Sequence, residues 1–218
     1  MRRTMLTMGV LVAFLCSLFI SAPASATGFL TVPGPPPRDR IVIDVVTVNG
    51  SGCPAGTAAV AVAEDNTTFT VTYSQYTAHV GVGSAPTDMR KNCQLSLVVH
   101  VPAGFTYAIA KADYRGFASI ARGATAVQRA SYYFQGSSQT AWRAHNFGPM
   151  VDNWQATDVT DLAALIWHPC GALRNFNINT ELRVNVGTSD PRRTTSFIAM
   201  DSTDASIDTL YHFHWGRC

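Results

Sequence analysis

The chain contains 218 residues, with 16 Lys or Arg against 14 Asp or Glu. Two of the basic residues lie in an N-terminal leader, so the rest of the chain carries 14 charged residues of each sign. This neutral balance argues against non-specific nucleic-acid binding, which needs many cationic groups to neutralise phosphates, and against polybasic docking on anionic membranes. The length fits one domain with a sizeable core.

Residues 1–26 have the organisation of a secretory signal peptide. Arg2 and Arg3 precede an apolar segment at residues 6–20 that is short for a membrane span, and residues 24–26 (Ala-Ser-Ala) supply the small side chains of a cleavage site. The pattern predicts export to the extracellular space. No later apolar stretch approaches membrane-spanning length, so we expect no membrane association after cleavage.

Four cysteines follow the leader: Cys53, Cys93, Cys170 and Cys218. In an exported chain they indicate two disulfides, and a metal site is disfavoured because no two of them have the C-x-x-C spacing. Three connectivities are open. We favour the sequential pairing, Cys53 with Cys93 and Cys170 with Cys218, in which each bond closes a loop of roughly 40 to 50 residues and stabilises by about 4 kcal/mol in the chain-entropy model.

Residues 27–40 are predicted to form an extended arm. Residues 33–37 (Pro-Gly-Pro-Pro-Pro) favour polyproline II and cannot join a sheet ladder fully, so the arm is expected to be a spacer or to wrap a sheet edge. From residue 41 onward the hydrophobic period is mostly two. Strands are predicted at residues 41–48, 57–63, 69–76, 95–101, 105–112, 127–134, 176–186, 196–200 and 210–215.

The remaining segments carry weaker patterns. Residues 113–116 (Asp-Tyr-Arg-Gly) are predicted to be a turn that ends a strand. Residues 158–167 are the one serious helix candidate, although a buried strand fits this short run about as well. Many short strands, Gly-rich turns and little helix predict an all-β fold, an antiparallel β-sandwich or jelly roll that forms a single domain over residues 41–218.

The spacing of His212 and His214 is the most metal-like in the chain, because residues two apart on a strand project from the same face. Tyr211, Phe213 and Trp215 alternate with them, however, which favours the polar face of an amphipathic strand. Nucleophile, metalloprotease and nucleotide-binding signatures are absent from the sequence. We therefore expect no cofactor and no metal site.

Three residues are candidate ligand contacts. Trp142 lies in a polar stretch that is predicted to be a loop, and it is the least core-like of the aromatic residues between residues 131 and 167. Asp113 and Arg115 could pair with each other or line a groove. The sequons that begin at Asn49 and Asn66 matter only if the source glycosylates its secreted chains.

Seven short motifs in a fixed order resemble a secreted family of bacteria and filamentous fungi, the domain of unknown function 4360. The motifs are Gly52-Cys53-Pro54, Arg90-Lys91-Asn92-Cys93-Gln94-Leu95, Asp113-Tyr114-Arg115-Gly116, Tyr132-Tyr133-Phe134-Gln135-Gly136, Pro169-Cys170-Gly171, Asn177-Ile178-Asn179 and Trp215-x-x-Cys218. The resemblance implies one exported domain with all four cysteines as its framework. It supplies no activity and no catalytic residues, and His212 and His214 lie outside its motifs.

The leading functional hypothesis is a secreted, non-catalytic module that binds an extracellular glycan, a cell wall or a protein surface. One alternative is an extracellular hydrolase whose acidic residues converge only in the folded chain, and another is a secreted inhibitor or toxin-like protein. A row of solvent-exposed aromatic side chains would favour glycan binding, and a deep pocket with two or more buried carboxylates or histidines would favour an enzyme. A protruding, disulfide-braced loop favours inhibition.

Overall fold

The structure is a computed structural model that describes residues 32–200 and 209–218, so the predicted signal peptide at residues 1–26 lies outside the described residues. The described residues form thirteen strands and one 3-10 turn at Leu162–Ala164. The strands are β1 (Val32–Pro33), β2 (Val42–Asn49), β3 (Ala58–Val62), β4 (Thr68–Tyr73), β5 (Thr77–Gly81), β6 (Arg90–His100), β7 (Phe105–Ile120), β8 (Thr125–Phe134), β9 (Ala141–Phe147), β10 (Met150–Val159), β11 (Phe176–Asn185), β12 (Thr195–Ala199) and β13 (Thr209–Arg217).

The strands form two antiparallel sheets. The five-stranded sheet has the order β2-β6-β11-β8-β9, and the eight-stranded sheet has the order β3-β4-β13-β7-β12-β5, with β1 on β13 and β10 on β7. Apolar side chains from both sheets form one buried cluster between them. The predicted all-β antiparallel sandwich is confirmed.

Alternation along each strand decides which side chains enter the core. In β11, Ile178, Leu182 and Val184 are buried, whereas Asn179 and Glu181 between them point to the outer face. A shift of one residue in register would exchange these two sets, so the pattern fixes the pairing of the strand. Aromatic rings from the two sheets meet in the core. Tyr107 packs edge-on against Phe134 and Phe213, with ring centroids 5.5 and 5.4 Å apart.

The cysteines form the two predicted disulfides, Cys53–Cys93 and Cys170–Cys218. The first connects the turn after β2 to the inner face of β6. The second connects the loop before β11 to the residue after β13, and thereby holds the C-terminus against the sandwich. Within the described residues, no helix is long and apolar enough to cross a membrane.

Two local predictions are wrong. Residues 113–116 do not end a strand but lie in the middle of β7, because β10 pairs with β7 from Lys111 to Ile120 and extends it. Residues 158–167 are neither a helix nor a buried strand. Asp158 and Val159 pair with Ala112 and Lys111 at the end of β10, and only one 3-10 turn follows.

The described part of the predicted arm, residues 32–40, lies along an edge of the sandwich. Val32 and Pro33 pair with the end of β13, and the side chain of Asn66 holds the arm further along. Its Nδ2 donates to the carbonyl oxygens of Pro37 and Asp39 at 2.9 and 2.8 Å. Because Asn66 is buried and its amide nitrogen is committed to these bonds, the sequon at Asn66 is unsuited to glycosylation.

Candidate functional site

A row of polar side chains crosses the outer face of the five-stranded sheet. Its members lie directly opposite one another on successive strands: Asn49, Gln94, Asn179, Ser131 and Trp142. Neighbouring strands are about 4.8 Å apart, so the row is roughly 19 Å long. Four amide or hydroxyl side chains thus lead in a line to one indole ring.

A second row runs beside the first, on the same face. It consists of Asn92, Glu181, Arg129 and Ala144. Part of each row lines an open depression of about 370 Å³, which we call the outer-sheet groove. The row members that line it are Asn179, Ser131, Trp142, Asn92, Glu181 and Arg129, and Arg90 lies beside them. The floor of the groove is the hydrogen-bonded ladder of β6, β11 and β8, and the groove is open to solvent.

Trp142 lies at one end of the groove and is 66% exposed. It belongs to the edge strand β9, so the prediction of a loop at this position is wrong. The next residue in the strand, Arg143, reaches β10 and donates from Nη2 to the carbonyl oxygen of Val159 at 3.2 Å. Nη1 of the same guanidinium donates to the carbonyl oxygen of Trp142 at 2.8 Å. These bonds anchor the backbone of Trp142 and leave its ring in solvent.

Glu181 supplies a carboxylate near the centre of the groove. Arg90 Nε donates to Glu181 Oε2 at 2.6 Å, and Nη2 of the same guanidinium contacts the same oxygen. The hydrogen bond to Glu181 raises the pKa of Arg90 above its ordinary value. The carboxylate is therefore committed to an ion pair on the groove floor.

Asn92 is oriented by the turn that precedes the first disulfide. Ser51 Oγ donates to Asn92 Oδ1 at 3.1 Å, and the backbone amide of Asn92 donates to Ser51 Oγ at 3.2 Å. With its oxygen occupied, the side-chain nitrogen of Asn92 is left to donate toward the groove. The disulfide at Cys93 fixes the same stretch of backbone.

Asp113 and Arg115 lie on the opposite side of the molecule, on the outer face of the eight-stranded sheet. Asp113 accepts hydrogen bonds from Lys111 Nζ and Thr157 Oγ1 at 2.7 Å each, and pairs with His212 Nε2 at 2.8 Å. Burial opposes ionisation of Asp113, but the bonds to Lys111, Thr157 and His212 outweigh it and lower the pKa of the carboxyl group. Arg115 is exposed and makes no ion pair with Asp113. The fold therefore does not bring these two residues together with Trp142.

His212 and His214 share the outer face of β13 but have different neighbours. His212 is held by Asp113, whereas His214 packs edge-on against Trp167 with ring centroids 5.6 Å apart. No group of three His, Cys, Asp or Glu side chains among the described residues is arranged to hold a metal ion.

Sequence reasoning missed a buried carboxylate between the sheets. Asp158 is 4% exposed and lies 2.7 Å from both the Tyr132 hydroxyl, which donates to it, and His145 Nε2. Burial raises the pKa of Tyr132 well above its ordinary value. Asp158 and Tyr132 line a cavity of about 20 Å³, room for about one water molecule and far too small for a sugar. The cluster is a structural element of the core.

Comparison with known proteins assigns the family. Residues 39–218 match the family model described as Domain of unknown function (DUF4360). The chain belongs to the DUF4360 family. A relative from Arthroderma benhamiae, described as an uncharacterized secreted protein, is 34% identical over 188 residues, which cover 84% of this chain and 74% of that protein. The resemblance and the predicted export are confirmed, and this DUF4360 protein is secreted.

Two solved structures show distant similarity to this DUF4360 protein. One is TmCBM61 in complex with β-1,4-galactotriose, with a TM-score of 0.28 and 8% identity over 83% of this chain and 90% of that chain. The other is the enzymatically active domain of bacteriophage CBA120 tailspike protein 4, with a TM-score of 0.25 and 13% identity over 79% of this chain and 19% of that chain. At scores this low, neither likeness extends to a ligand or an activity.

Proposed function

We propose that this DUF4360 protein binds an extracellular glycan chain along the outer-sheet groove. The observation that carries the proposal is the exposed indole of Trp142 at the end of a line of amide and hydroxyl side chains. An aromatic ring can pack against the apolar face of a sugar ring, and amides such as Asn179 can donate to and accept from sugar hydroxyls. The groove therefore offers both kinds of contact that a sugar needs.

The shape of the groove favours a polymer over a small molecule. Small-molecule sites enclose most of their ligand in a concave pocket. The outer-sheet groove is open and crosses four strands, from Asn92 on β6 to Trp142 on β9, a span of roughly 14 Å. An extended chain of several sugars can contact the exposed side chains along this span, and each sugar adds a few weak contacts.

The charges in the groove favour binding over hydrolysis. Most glycosidases use two carboxyl groups placed on either side of the scissile bond. Among the described residues that line the groove, Glu181 is the only acid, and its carboxylate is paired with Arg90. The buried acid Asp158 lies between the sheets and is not accessible to a polymer.

The disulfides also argue against an inhibitor that inserts a braced loop into its target. Cys93 is in the middle of a sheet strand and is buried, as is Cys53. Cys170–Cys218 fastens a chain terminus rather than the two sides of a projecting loop. Both bonds stabilise the sandwich that carries the groove.

The experiment that tests the proposal is a binding titration of soluble polysaccharides with the wild-type protein and with Trp142→Ala. Tryptophan is among the residues whose truncation most often costs more than 1 kcal/mol at an interface, so we expect a loss of affinity of roughly fivefold or more in the variant. Leu173→Ala is the matched control, because Leu173 is also an exposed apolar side chain (73%) but lies outside the groove. Equal affinity of wild type and Trp142→Ala would refute the proposal, and so would release of new reducing ends from the bound polysaccharide.

A further inference from the structure

Positive charge exceeds negative charge on the groove side of the five-stranded sheet. Arg90 and Arg183 lie directly opposite each other on β6 and β11, and Arg129 lies opposite Glu181 on β8. These two adjacent rows therefore contain three guanidinium groups and one carboxylate. The nearest acidic residue before β6, Asp88, is already paired with Lys91 at 2.9 Å. The rest of the exported chain is close to neutral, so this excess is local.

Two of the three arginines have no partner of their own. Glu181 is occupied by Arg90, and within the described residues the side chains of Arg129 and Arg183 make no hydrogen bond or ion pair. The Nε atom of Arg183 is buried without a hydrogen-bond acceptor. Like charges directly opposite on neighbouring strands destabilise a sheet, and an unpaired buried donor adds to that cost. An anionic ligand would offset the repulsion between these positive charges.

Arg129, which carries part of this positive charge, lies beside Trp142, the residue proposed to contact a sugar ring. The two residues lie on the adjacent strands β8 and β9, in neighbouring rows, and they line the same depression of about 300 Å³ next to the groove. A sugar ring packed on the indole of Trp142 would place its substituents beside the guanidinium of Arg129. A guanidinium binds a carboxylate through two parallel hydrogen bonds, a geometry that a neutral hydroxyl cannot match.

We infer that the outer-sheet groove selects acidic polysaccharides, with a sugar carboxylate paired to Arg129 while Trp142 packs against a ring. This inference rests on the proposed glycan binding and adds the chemical class of the glycan. Glu181 then holds Arg90 in place and repels carboxylates from the groove centre, which directs the acidic groups of the ligand toward Arg129.

The test compares uronate polymers with their own neutral derivatives. The affinities of the wild-type protein for polygalacturonate, alginate and hyaluronan are measured beside those for the carboxyl-reduced form of each polymer, which keeps the linkage and loses the charge. We expect at least one acidic polymer to bind, and its affinity to fall about tenfold or more on reduction. Arg129→Gln should lose a similar factor for the acidic polymer and should leave the affinity for the reduced form unchanged.

Two controls separate recognition from general charge attraction. Arg115→Gln removes an arginine that is also exposed, but lies on the opposite sheet, and should bind the acidic polymer as the wild type does. Arg129→Lys keeps the charge but loses the planar fork, and should recover only part of the affinity. The affinity for dextran sulfate, which carries sulfates instead of carboxylates, is measured as a further comparison. A dependence on Arg129 seen with dextran sulfate but with no uronate polymer would overturn the assignment to carboxylates.

The outcomes distinguish this inference from the proposed function. Equal binding of acidic and reduced polymers, with no effect of Arg129→Gln, would overturn the inference and leave glycan binding intact. Equal losses in Arg115→Gln and Arg129→Gln would also overturn it, because attraction would then depend on net charge alone. A wild-type protein that binds no acidic, neutral or reduced polymer would refute both.

Discussion

Asp113 shows how the surroundings of one residue decide its role. The sequence allowed this residue to be a ligand contact, and the fold surrounds it with three donors on the outer face of the eight-stranded sheet. Its carboxylate is 5% exposed and accepts from Lys111 and Thr157 while it pairs with His212. A carboxylate with so many partners serves the stability of the sheet.

We expect Asp113→Asn to lower the free energy of unfolding at neutral pH by about 1.5–3 kcal/mol, because bonds between charged groups are lost while the donors stay in place. The folded protein holds the pKa of Asp113 below the unfolded value of 3.8. The stabilisation is therefore present above that pH and is lost as the pH falls through the lower, folded pKa. Denaturant unfolding across the acidic range should show the two proteins converging below pH 3.8.

The control for this prediction is Asp44→Asn. Asp44 has a similar contact, 2.7 Å from His100 Nε2, but both side chains are exposed. Exposed ion pairs contribute about 0–1 kcal/mol, so this variant should remain close to wild type at every pH. An equal loss of stability in the two variants would show that the buried contacts of Asp113 contribute no more to the free energy of unfolding than an exposed ion pair does.

At the scale of single elements, the long strand β7 depends on a close approach to its neighbours. At Gly116, an added Cβ would lie 2.6 Å from the indole of Trp154 on β10 and would also collide with the carbonyl oxygen of Ala199 on β12. The absence of a side chain allows β10 and β12 to flank β7 at this point.

We therefore expect Gly116→Ala to lower the melting temperature, with a loss of about 1–3 kcal/mol from overpacking. Gly148→Ala is the matched control, because nothing lies within 4 Å of its added Cβ. If Gly116→Ala and Gly148→Ala have the same melting temperature, the packing of the strands around β7 is looser than the structure shows.

The strands differ in how well their sequences predicted them. β11 was predicted almost to the residue because its apolar and polar side chains alternate over the whole strand. β10 was missed, since Asp158 occupies an inward position that alternation reserves for apolar residues. β9 was missed as well, because this short edge strand places small and polar residues on both faces.

The candidate site was less predictable than the fold. Trp142 was singled out because an indole in a polar stretch is unusual. The rest of the groove depends on the register of strands far apart in the chain, such as the pairing of Arg90 with Glu181 across 91 residues. No local sequence pattern indicates such a long-range pairing.

At the scale of the whole molecule, the outer-sheet groove and the second disulfide lie in different parts of the sandwich. The outer-sheet groove lies on the five-stranded sheet, whereas the second disulfide fastens β13 of the eight-stranded sheet to the loop before β11. Stability and binding should therefore respond differently to the loss of this bond.

We expect the double variant Cys170→Ser, Cys218→Ser to lose about 4 kcal/mol of unfolding free energy, since the bond closes a loop with a sequence separation of 48 residues. While it remains folded, its affinity for the polysaccharide should equal that of the wild type. Unfolding curves and binding titrations at low temperature measure the two quantities. Loss of binding by the folded variant would place the site at the disulfide end of the molecule instead.

The most direct test of glycan binding in the outer-sheet groove is hydroxyl-radical footprinting of the wild-type protein with and without a bound polysaccharide. We predict that the ligand protects Trp142 and the neighbouring exposed positions of β8 and β9. Leu173 and Val151, both 73% exposed and outside the groove, should be modified at an unchanged rate. Protection of the outer face of the eight-stranded sheet, with Trp142 modified as fast as in the free protein, would contradict the account.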